Sequence, residues 1–83
     1  MGKVAIKIED LPPLDPTCVQ VLRCIVLKLA GERRGRVEYK VIGKSINKDR
    51  DVVAKAVRRL IKKQVLTIEN NELVLLNVVE LAS

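Results

Sequence analysis

The residues of this chain with the clearest chemistry are cations at helical spacing. Lys40, Lys44 and Lys48 fall four apart, so a helix and the turn after it would carry them on one flank. Arg50, Asp51, Lys55, Arg58, Arg59 and Lys62 interleave with an apolar series that would face inward. Arg33, Arg34 and Arg36 crowd a short stretch around Gly35. A lysine ammonium meets phosphate as a point charge. An arginine can meet phosphate or a guanine edge through two parallel hydrogen bonds. The chemistry on offer is recognition of a polyanion.

Composition agrees with that direction. The chain has 83 residues, 48% hydrophobic and 31% charged, which suits one globular domain with a modest core. Its net charge of +6 and sequence pI near 9.7 favour a polyanionic partner, of which nucleic acid is the commonest. Tyr39 is the only aromatic residue, so a platform of rings for stacking single strands is not expected. A duplex reader needs no rings.

Catalysis is not expected. The chain has no His, no Gly-rich phosphate loop and no carboxylate pair set in a cleft. Glu69 and Glu72 flank a turn and should be solvated. Cys18 and Cys24 are too few for a structural zinc site, which wants four ligands. They sit six apart on different faces of a helix and read as small packing residues in a reducing cytosol. No cofactor, metal or small-molecule substrate is implied. The N-terminus lacks a secretory pattern, and no apolar run approaches the roughly 18 residues that cross a membrane. A cytoplasmic protein is expected.

The elements that must position the cations follow from local signals. Lys3 to Ile8 alternates weakly and reads as a strand or extended arm. Leu11-Pro12-Pro13-Leu14 is a rigid connector. Asp15 can cap a helix that starts at Pro16, runs to about Ala30 and stops at Gly31. Its inward face is expected to be Val19, Leu22, Ile25, Val26 and Leu29, yet Cys18, Val21, Cys24 and Leu27 are apolar too. Such a helix wants cover on more than one side. Val37 falls in a very short extended piece. Tyr39 to Ile46 reads as a short helix with Val41, Ile42 and Ile46 inward. Gly43 allows a close approach, and Asn47 suits a left-handed turn. Asp49 should cap a helix from Arg50 to about Gln64 with Val53, Ala56, Val57, Leu60 and Ile61 inward. Two apolar runs, Val65–Glu69 and Glu72–Val79, flank Asn70-Asn71, a hairpin signal.

This order of elements, and the stretch VIGKSINKDRDVVAKAVRRLIKKQVLTI in particular, resembles the winged-helix family. The small residue, turn residue, capping residue and VRRL run stand at matching spacing. The resemblance implies an α+β winged helix-turn-helix: three helices, a small antiparallel β-hairpin wing and an N-terminal strand or arm. Residues 1–14 would be the arm and Pro linker, and 15–83 the winged-helix domain.

The family places its third helix in the major groove of DNA. Carried onto this chain, the outward positions would be Arg50, Asp51, Ala54, Lys55, Arg58, Arg59 and Lys62, with Arg50 and Lys55 closest to base edges and Arg58, Arg59 and Lys62 meeting phosphates or solvent. Lys40, Lys44 and Lys48 would run along the backbone as sequence-blind anchors. Arg33, Arg34 and Arg36 could clamp phosphates from the side. The implied function is duplex DNA binding by a small transcriptional regulator, sequence-specific or general.

The hairpin departs from the family pattern. No Lys or Arg occurs from Val65 to Ser83, and Glu69 and Glu72 frame the tip. Such a wing should stand off DNA. The C-terminal run is apolar on both faces, as the first helix is. Either a homodimer or an arm folded back beside Leu73–Val79 would supply the cover. The alternative function is a winged-helix protein-interaction module or an RNA-binding accessory subunit. The richness in Val, Ile, Lys and Arg, with little Gln, leans toward a thermophile.

Overall fold

Asp15-Pro16 starts the first helix as its residue types require. The Cys18 amide donates to Oδ1 of Asp15 at 2.8 Å, and Pro16 occupies the first turn. The helix ends at Leu29, and Ala30 rather than Gly takes the left-handed cap at φ 53°, followed by Gly31 at φ 89°. The computed structural model describes residues 4–6, 11–76 and 79–80. Its elements are β1 (Val4–Ala5), α1 (Pro16–Leu29), β2 (Arg34–Gly35), α2 (Tyr39–Ile46), α3 (Arg50–Lys62), β3 (Leu66–Glu69), β4 (Glu72–Leu75) and β5 (Val79–Glu80). Together they make an α+β unit of three helices and a three-stranded antiparallel sheet, with β1 and β5 paired separately.

The junction of α2 and α3 rests on two residues. Asn47 closes α2 in the left-handed region at φ 57°. A Cβ on Gly43 would lie 2.6 Å from the Lys48 carbonyl oxygen, so only glycine lets the turn fold over α2 here. The Lys48 amide donates to the Gly43 carbonyl at 2.9 Å. Asp49 stands at the cap position of α3, but its side chain makes no capping hydrogen bond. The expected cap is therefore positional only. The helix ends at Lys62 rather than near Gln64, because Gln64 adopts φ 61° and turns the chain into β3.

The sheet has strand order β2-β4-β3. Asn70 and Asn71, at φ 52° and 64°, form the tight turn that pairs Glu69 with Glu72. The short extended piece lies at Arg34–Gly35, not at Val37. Gly35 pairs with Leu73, and a Cβ on it would come within 2.9 Å of Leu29 Cδ2. Bare backbone at this point lets β2 close over the end of α1.

The core lies between α1, α3 and the sheet. Ile25, Ile42, Val53, Val57, Leu60, Val65 and Leu66 are fully buried. On α1 the inward face is Cys18, Val21, Leu22, Cys24, Ile25 and Leu29, rotated from the expected one. Val19 and Val26 are only half-buried, and Leu27 is 78% exposed. On α2, Ile42 is buried while Val41 is exposed. Leu73, Val74 and Leu75 of β4 are all buried because β4 is the central strand. β1 pairs with β5, Val4 opposite Glu80 and Ala5 opposite Val79, so the described part of the arm meets the C-terminal segment at Val79–Glu80, while β4 (Glu72–Leu75) is flanked by β2 and β3 rather than by the arm. The remaining expected strand positions at 3, 7, 8, 77 and 78 lie outside the described residues.

Candidate nucleic-acid interface

The α2–α3 junction brings the lysine series together with Arg50. Lys40, Lys44, Lys48 and Arg50 line one shallow hollow of about 290 Å³, whose wall also includes Gly43, Asn47 and the carboxylate of Asp49. An adjoining hollow of about 350 Å³ is lined by Glu38, Tyr39, Lys40 and Arg50. The four cations are exposed, and their side chains make no ion pair or hydrogen bond among the described residues. The step of four along α2 and the left-handed turn at Asn47 account for this gathering.

On α3, Arg50, Asp51, Lys55, Arg58 and Arg59 are exposed, opposite the buried Val53, Ala56, Val57 and Leu60. Asp51 and Lys55, which could pair at i, i+4, form no salt bridge. Arg58 stands near Tyr39. Burial pushes the Tyr39 hydroxyl above its ordinary value, and the Arg58 charge opposes the rise. The sequence marks Tyr39 as the lone ring, beside Lys40, but gives it no place among the expected contact residues.

Arg59 has a structural partner. Its Nη1 donates to Oδ2 of Asp15 at 2.6 Å. The hydrogen bond from the Cys18 amide is the main cause that holds the Asp15 carboxyl below its usual range; burial opposes it, and Arg59 adds to the lowering. The Cys18 thiol is pushed up, first by burial and then by Asp15. Cys18 and Cys24 are both buried and free, which agrees with packing roles.

The other arginines belong to the sheet. Arg33 Nε donates to the Leu75 carbonyl at 3.1 Å. Arg34 Nε donates to Glu72 Oε1 at 2.9 Å, and its Nη1 stands 3.7 Å from Glu69 Oε1. The expected phosphate clamp thus has two of its three members engaged, and Arg36 is exposed. The carboxylates at the hairpin tip draw Arg34 toward themselves.

Among the described residues no group of His, Cys, Asp and Glu could hold a metal ion, and no helix is long and apolar enough to cross a membrane. Comparison with protein-family models, with curated proteins and with solved structures gives no match for this chain.

Proposed function

We propose that this chain is a winged-helix protein that binds duplex DNA, with α3 directed to the major groove and the α2–α3 junction against the backbone. The observation that carries the reading is the Lys40–Lys44–Lys48–Arg50 hollow, where four exposed cations converge at a helix-turn-helix junction without internal partners among the described residues. The four cations outnumber Asp49, the one carboxylate lining that hollow, and a concave surface of that balance suits phosphate oxygens, which lysines contact as sequence-blind anchors. The strand order β2-β4-β3 and the turn at Asn70-Asn71 support the winged-helix layout.

Arg50 and Lys55 near the start of α3 are the side chains for base edges. Arg58 continues toward the backbone, while Arg59 serves the fold through Asp15. The hairpin stands off the duplex, since Glu69 and Glu72 would repel phosphate. Regulation of transcription is the role we propose for such a module.

The test is a mobility-shift titration with random-sequence duplex at low salt. Retardation is expected. Failure to retard duplex at any protein concentration where the chain stays dispersed would refute the proposal.

A further inference from the structure

Away from the cationic junction, α1 presents a second surface. Leu27 is 78% exposed, the most exposed large apolar residue described. With Arg23, one turn earlier, it forms a ridge between two hollows. The first, about 310 Å³, is lined on its far side by Ile6, Leu11, Val19 and Val26. The second, about 630 Å³, is bounded by Cys24, Lys28 and Ile46 among others. Apolar floors lie on both sides of the ridge, and the charged residues lining them are Arg23 and Lys28, with no carboxylate among the described lining residues.

We infer that this face docks an acidic amphipathic helix of a different protein. Two hollows that share Arg23 and Leu27 as a common wall suit apolar anchors spaced at one helical turn. The charged side chains among the described lining residues are the cations Arg23 and Lys28, so the complementary helix carries Glu or Asp beside its anchors. A second copy of this chain is a poor occupant. The same face on a second copy would again present Arg23 and Lys28 and offer no described carboxylate to them, and it would join two chains of net charge +6. The surface is also separate from the proposed DNA face. Asn47 alone lines both the second hollow and the Lys40–Arg50 hollow, and no residue of α3 lines either hollow beside α1.

The test is a displayed library of amphipathic helices, fixed as apolar at i, i+3, i+4 and i+7 and randomised over Glu, Lys, Gln and Ala elsewhere. It is selected on the whole chain and counter-selected on Leu27→Asp, whose fold is checked by circular dichroism. Enriched helices are expected to be rich in Glu, to weaken as salt rises, and to lose about tenfold or more in affinity on Leu27→Asp. An Arg23→Glu/Lys28→Glu variant should select Lys-rich helices instead. Enrichment indifferent to charge, binding unchanged by Leu27→Asp, or no enrichment at all would overturn the inference. So would a dimer, seen by light scattering, that Leu27→Asp disperses.

Discussion

Arg59 Nη1 and Asp15 Oδ2 meet at 2.6 Å, joining the last turns of α3 to the residue that caps α1. The other carboxylate oxygen takes the Cys18 amide at 2.8 Å. One side chain thus finishes a helix and pins a second helix to it. Arg59 is thereby drawn from the exposed face of α3 into the fold.

Asp15 sets a pH dependence, through the Cys18 amide first and Arg59 after it. The folded Asp15 carboxyl titrates below its ordinary value of 3.8. The unfolded chain therefore takes up the proton first as pH falls. The stabilisation is complete above the ordinary value and is lost as pH falls through the lowered one. Asp15→Ala should lower the urea midpoint near neutrality and leave it nearly unchanged at about pH 2 relative to wild type. Parallel midpoints at both pH values would contradict the pairing.

The α2–α3 turn should be intolerant of a methyl group. Gly43→Ala places a Cβ against the Lys48 carbonyl, a backbone atom that cannot swing away. A loss of about 1–3 kcal/mol is expected from denaturant unfolding. Ser45→Ala, two residues on and exposed, should stay within about 0.5 kcal/mol of wild type.

Two leucines should behave oppositely. Leu60 is fully buried, so Leu60→Ala should cost about 2–5 kcal/mol. Leu27→Ala on the outer face of α1 should change folding stability by less than about 0.5 kcal/mol. Calorimetry of the two variants checks both.

The helices were legible because their ends carry distinctive residues: Asp15-Pro16, Asn47 and the step from Asp49 to Arg50. The hairpin was legible from Asn70-Asn71. The inward face of α1 was not, because Cys18, Val19, Val21, Cys24 and Val26 are all apolar and no single stripe stands out. Tertiary packing chose among them. The lysine hollow followed from spacing within one short segment. The engagement of Arg34 with Glu72 and of Arg59 with Asp15 did not, since those partners are 38 and 44 residues apart in sequence. Outward orientation of a cation can be read from periodicity; its commitment to a distant carboxylate cannot.

The hairpin tip gives a functional prediction. Removing its charge with Glu69→Gln/Glu72→Gln frees Arg34 and relieves repulsion of phosphate. Duplex affinity should rise several-fold. The log-log salt slope should steepen by about 0.9 if Arg34 gains one phosphate contact. Anisotropy titrations of the double variant measure both quantities, and unchanged affinity would place the hairpin beyond electrostatic reach of the duplex.

The most direct measurement is the salt dependence of duplex binding by fluorescence anisotropy, for wild type and for Arg50→Ala/Lys55→Ala. If about six phosphates are neutralised, wild type should show a log-log slope on the order of −5. The double variant should bind more weakly and with a shallower slope. A wild type that does not bind, or a variant with the same affinity and slope, would contradict the assignment of α3 as the DNA-contacting helix.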